Sequence, residues 1–88
     1  MITLKRDPRG DFLIFFASRD RYCRTLLKNL IPAYFRHYDR SLRCWVVHPF
    51  GVAQLYHFLR FADVFGPAEV RPADLRAALR AANEFALR

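Results

Sequence analysis

Most of what would mark a catalyst or a membrane protein is missing from this chain. No apolar run approaches the roughly 18 residues that a spanning helix needs. Residues 1–6 run straight into charges and a turn, so no export leader is expected there. Glycine occurs three times and forms no phosphate-cradling loop. The two cysteines, Cys23 and Cys44, lie in apolar stretches and make no disulfide framework; reduced thiols in a cytoplasmic protein are expected. A zinc site wants four Cys/His ligands in close pairs. Here Cys44 and His48 are the one near pair, and along a strand they lie about 13 Å apart. The acids are scattered, several of them in turns or caps (Asp7, Asp11, Asp20, Asp39, Asp74), so paired carboxylates for acid–base work are lacking. No metal, cofactor or catalytic residue is therefore expected, and the chain reads as a non-enzyme.

What the chain has is positive charge and aromatic rings. Its 88 residues make one domain, and 53% hydrophobic content with 16% aromatics is enough for a core without staples. The formal net charge is +7. Residues 1–60 hold eleven Lys/Arg against four acids, whereas residues 61–88 hold four of each, so the whole excess lies in the first two-thirds. Such asymmetry is the footprint of a polyanion binder, with solvated surface charge as the plainer explanation.

Ile2 and Leu4 alternate with polar residues, Asp7-Pro8-Arg9-Gly10 is a turn, and 11–16 is a nearly continuous apolar strand; the two strands pair as a hairpin. So apolar a strand implies burial on both faces, or one face covered by the core and the other by something added later. Ser18 or Asp20 caps a helix from about 19 to 31, with Tyr22, Cys23, Leu26, Leu27, Leu30 and Ile31 as its stripe and Arg21, Arg24 and Lys28 opposite. Pro32 ends it. A second hairpin over 32–49 follows, with Asp39-Arg40-Ser41 at its turn, and Pro49 and Gly51 close it. A helix from about 51 to 65 is apolar on two sides. One stripe is Val52, Leu55, Tyr56, Leu59 and Ala62; the other is Phe58, Phe61 and Phe65. After Gly66-Pro67-Ala68, a third helix runs from Pro72 to about 87 and is expected to cover the spare Phe side, unless that side serves a homo-oligomer. The order ββαββαα predicts an α+β fold: a small antiparallel sheet of two hairpins packed with helices. Residues 1–66 form the basic domain and 67–88 a C-terminal helix packing on it or on a partner.

The hairpin at 32–49 is the one stretch both aromatic-dense and basic. Arg is a bidentate donor to phosphate, and exposed bases stack on aromatic faces or Arg planes. If its first strand alternates, Tyr34, Arg36 and Tyr38 share one side and Phe35 and His37 the other. Trp45 and Phe35 are expected in the core, the usual fate of aromatics in a small domain. The candidate phosphate contacts are Lys5, Arg6, Arg21, Arg24, Lys28, Arg36, Arg40 and Arg43, with Tyr38 or His37 stacking on a base. Helix and hairpin must then present their cations on one common face.

The pattern Arg36-x-Tyr38-Asp39-x-x-x-Arg43-x-Trp45, preceded by a helix ending Leu27-Lys28-Asn29-Leu30-Ile31-Pro32, resembles the HARP domain, the substrate-recognition module of annealing helicases. The likeness covers about residues 11–60, with Val52 to Leu59 matching the spaced leucines of the family's second helix. It implies a non-catalytic module for structured DNA such as forks and single-strand/double-strand junctions. In that family the module is joined to a helicase motor, which is not among these residues, so the module acts alone or recruits a helicase or repair partner. RNA binding and a protein-interaction or homo-oligomerising role through the Phe face are the alternatives. No membrane partner is expected.

Overall fold

Asp7 folds the first turn with its own side chain. Its Oδ1 accepts from the backbone N–H of Arg9 (2.9 Å) and of Asp11 (3.1 Å), and Gly10 takes φ +94° to finish the reversal. The strands on either side, β1 (Thr3–Arg6) and β2 (Phe12–Phe15), pair antiparallel. The computed structural model describes residues 1–66 and 68–87. Pro67, in the expected break before the third helix, and Arg88 lie outside the described residues.

Of the two candidate caps, Asp20 is the one used. Its carboxylate accepts from the Cys23 N–H (3.0 Å) at the start of α1 (Arg21–Leu30), and that bond holds the Asp20 carboxyl below its ordinary range. Cys23, Leu27 and Ile31 are buried on the inner side. Then come a 3-10 turn (Ala33–Phe35), β3 (Arg36–Asp39), β4 (Cys44–Val47), a second 3-10 turn (Pro49–Gly51), α2 (Val52–Phe65) and α3 (Pro72–Ala86). The fold is α+β, four antiparallel strands in one sheet packed with three helices in the expected order, and the sheet runs β1-β2-β4-β3.

One sheet face meets the helices. Leu4, Phe12, Ile14 and Val47 join Cys23 and Leu27 of α1, Val52, Leu55, Phe58, Leu59 and Ala62 of α2, and Ala78 of α3 in a single core. Leu13, Phe15, Cys44 and Val46 alternate with the sheet's core residues, point to the other face and take no part in that core. The two-faced apolarity of strand 12–16 thus reflects one face in the core and one outside it.

Two expectations are corrected. Tyr34 and Phe35 are not strand residues. Pro32 starts a 3-10 turn in which the Phe35 N–H donates to the Pro32 carbonyl, and Phe35 is pressed against Gly51, where a Cβ would come within 2.9 Å of it. The ring of Phe35 packs on the core from the turn, and Tyr34 is left exposed. Second, α3 does not cover the Phe stripe. Phe58 is buried, 6.4 Å from Phe16, and α3 lies on the other flank of α2, along Tyr56. At about 100° per residue, Phe61 is turned away from that flank, so Phe61 and Phe65 stay 41% and 71% exposed and stack on each other at 4.8 Å.

The C-terminal segment is tied to the sheet. The Ile2 N–H donates to the Glu69 carbonyl (2.8 Å), Ile2 bridges Val70 in parallel, and the buried Asp74 accepts from the Leu4 N–H (3.1 Å) while pairing with Arg71 (3.2 Å). The outer edge of β1 is therefore occupied. Replacing Asp74 by Ala strands the Leu4 N–H, and urea unfolding is expected to register a loss of about 2 kcal/mol. A loss within experimental error would mean that Asp74 does not hold this edge.

Candidate nucleic-acid interface

The registers of two strand pairs build the site. Ile14 lies opposite Trp45 across β2 and β4, and Tyr38 lies opposite Trp45 across β3 and β4. All three side chains fall on the inner face, towards the end of the sheet that the hairpin turn occupies. There they wall a groove of about 280 Å³ together with Phe16 and Ser18, which follow β2, and with Arg24 of α1 and Arg43 of the turn; Cys44 completes the lining. Phe16, Ser18, Tyr38 and Arg43 also line a neighbouring depression that Arg40 borders.

Trp45 is the hub. Tyr38 meets it edge-on with ring centroids 5.3 Å apart, and Lys28 Nζ and the Arg36 guanidinium stand 5.8 and 5.6 Å from the indole. Arg36 is further held by its Nε–H, which donates to the Ile31 carbonyl at 2.8 Å, and Arg24 by its Nη1, which donates to the Ser18 carbonyl at 3.1 Å. Backbone carbonyls thus aim these two cations, and no acid neutralises them. Among the described residues the one ion pair is Arg71–Asp74, at the β1 edge of the sheet. Asp39, the acid nearest the turn, accepts from the Leu42 N–H and is spent on closing the hairpin.

Six of the ten candidate residues come together: Arg24, Lys28, Arg36, Tyr38, Arg40 and Arg43. Arg21 is exposed one turn before Arg24 and lines neither depression. Lys5, Arg6 and His37 do not join. β1 is at the far edge of the sheet from β3, three strand spacings or about 14 Å away. Lys5 lies on the outer face over Phe15, and Arg6 lies over Phe12 beside α3. His37 pairs with Val46 and so points to the outer face, opposite to Tyr38. The common face expected of helix and hairpin gathers Arg24, Lys28, Arg36, Arg40 and Arg43 but not Arg21, and the further candidates Lys5, Arg6 and His37 lie elsewhere.

Ile14, Phe16, Ser18 and Trp45 are site residues that the sequence reading did not assign. Trp45 is half-buried: it packs on the core, as expected, and also walls the groove. Its signal was present, because a turn at 39–43 sets Tyr38 across from Trp45. Ile14, Phe16 and Ser18 depend on a pairing between distant strands and carry no local signal.

Neither thiol is poised to react. Burial, and then Asp20, pushes the Cys23 pKa up to about 12; burial, and then Asp39, pushes Cys44 upward. Among the described residues no three His, Cys, Asp or Glu gather to hold a metal, and no helix is long and apolar enough to cross a membrane. The groove offers guanidinium donors next to aromatic rings, which is the chemistry of holding an anion and a flat ring together. Comparison with protein-family models, with curated proteins and with solved structures finds no match.

Arg43 carries a backbone cost. Its φ is +55°, the left-handed region that a β-carbon disfavours. Arg43→Gly is expected to raise stability by roughly 0.5–1 kcal/mol in thermal or urea unfolding, the relief of strain exceeding the added freedom of the unfolded chain. A destabilised variant would show that the Arg43 side chain holds the turn together.

Proposed function

We propose that this chain is a non-catalytic DNA-binding module that prefers structured DNA, such as forks and single-strand/double-strand junctions. The observation that carries the proposal is the gathering of five cations, from α1 and from the second hairpin, around Trp45 and Tyr38, none of them in an ion pair among the described residues. Cations alone would favour any phosphate backbone. Rings beside them add an attraction for bases that are not stacked in a duplex, and a junction presents both. The resemblance of 36–45 to the HARP domain points the same way. Such a module works in the cytoplasm, at the nucleoid in a bacterium, where two unpaired thiols stay reduced, and it delivers a helicase or repair partner to its substrate.

Binding to a labelled fork by anisotropy across a salt series tests this. The affinity is expected to fall with a log–log slope between about −3.5 and −4.5, at 0.7 to 0.9 per phosphate neutralised for five contacts. Arg40→Ala combined with Arg43→Gly should flatten the slope by about 1.5, and Lys5→Ala with Arg6→Ala should leave it unchanged. Arg36 is unsuitable for this purpose, because its bond to Ile31 also anchors β3 to the end of α1. Absence of binding to every DNA form at about 50 mM salt would end the proposal.

A second reading, a homo-oligomerising module, draws on the exposed stack of Phe61 and Phe65 beside the exposed Val64. Under it the sedimentation mass rises with concentration and Phe65→Ser restores the monomer. A constant monomer mass removes it.

A further inference from the structure

We infer that the groove between α1 and the second hairpin takes a single unpaired nucleotide of a DNA strand, its base among the rings and its flanking phosphates on Arg24 and Arg43. The inference rests on the DNA-binding reading and adds to it what the groove itself recognises. Three features choose the occupant. At about 280 Å³ the groove falls just below the usual size of small-molecule pockets, so it admits a ring system and excludes a duplex. Its walls are ring and hydrocarbon: Tyr38 is 41% exposed and edge-on to Trp45, with Phe16 and Ile14 in the same lining. Such walls accept any base, because every base has a π-face. Finally, two guanidinium groups from different elements meet at this one groove, and no acid lines it. An aromatic peptide side chain would fill the apolar part and leave both cations unmatched. A nucleotide within a strand has a phosphate on each side of its base and matches both. A paired base is stacked above and below and cannot enter, so the occupant is an unpaired one.

Trp45 is the chain's only tryptophan, so its emission reports on this groove directly. The experiment uses the whole chain with three DNA probes, namely a blunt duplex, the same duplex with a short single-stranded tail, and that duplex with a tail of abasic residues, which keeps every phosphate; a fourth probe carries an RNA tail. The base-bearing tail is expected to bind between about fivefold and a hundredfold more tightly than the abasic tail and to quench Trp45, while the abasic tail does not quench it. Tyr38→Ala is expected to remove most of that preference, with its fold checked by circular dichroism. Equal affinity for the two tails, with the salt slope intact, overturns base capture and leaves the cationic-surface reading standing. Absence of binding to all three overturns both. An RNA tail held more tightly than the DNA tail overturns DNA as the source of the nucleotide. The comparison of tails is made on the unaltered protein, so it decides the matter even if Tyr38→Ala fails to fold.

Discussion

The pairing of β2 with β4 is the constraint on which the rest depends. It joins two hairpins that are each locally encoded but have no local reason to meet. Its register sets Phe12 against Val47 and Ile14 against Trp45, with Leu13 and Val46 on the other face. A slip by one residue would reverse every side chain of β4 with respect to the core. Val46 and Cys44 would turn inward, Trp45 outward, and Tyr38 would follow Trp45 because β3 is registered on β4. The groove would then lose two walls at once. The slip would take the fully enclosed Val47 out of the core. The energetics of the core therefore fix the geometry of a site that lies at the core's margin.

Trp45 shows how that margin works. One part of the indole is core; another faces Tyr38 and the cations of Lys28 and Arg36. A cation held over a ring gains electrostatic attraction without needing a carboxylate. That matters in a region where like charges crowd together, because an acid placed there to relieve the repulsion would also cancel the attraction for an anionic ligand. The fold uses backbone carbonyls and aromatic faces for the purpose: Ile31 and Ser18 aim Arg36 and Arg24, and Trp45 takes the flanking charges. Arg43 belongs to the same pattern. A left-handed residue at the end of a hairpin turn is ordinarily Gly or Asn, and an arginine held there at a cost in strain puts its charge at the groove.

Much of the fold was legible in the sequence because the signals were local. Asp20 and Pro32 bound α1, Asp7 to Gly10 fold the first hairpin, and the 3.6-residue stripe of Cys23, Leu27 and Ile31 marks the buried side. The errors share a different origin. Tyr34 and Phe35 have strand-forming side chains, but Pro32 and the close approach of Gly51 impose a 3-10 turn, a tertiary effect overriding propensity. The flank of α2 that α3 would choose could not be read from two competing apolar stripes. At the site, the hairpin cations and those of α1 were legible because charge clustering survives in one dimension. The exclusion of Lys5 and Arg6 was not, since only the strand order puts β1 at the far edge. His37 could have been excluded from strand alternation alone, as Tyr38 and His37 cannot share a face.

The two edges of the sheet are handled in opposite ways, and this accounts for a chain whose charge is so unevenly spread. At β1, Glu69, Val70 and Asp74 take up the free backbone groups of Ile2 and Leu4, so the edge is closed by the segment that leads into α3. This part of the chain has balanced charge, as suits a structural closure. At β3 no further strand pairs with the edge among the described residues, and the strand is four residues long and begins with Arg36. A short, charged edge resists pairing with another sheet. Charge thus guards β3 against pairing and, if the proposed function holds, also makes it a face for a polyanion. A neutral hairpin in that place would need its own closure, and a closing segment along β3 would cover the face that Tyr38 and Arg40 now present. The excess of positive charge in the first sixty residues is, on this view, what permits one edge of the sheet to remain open.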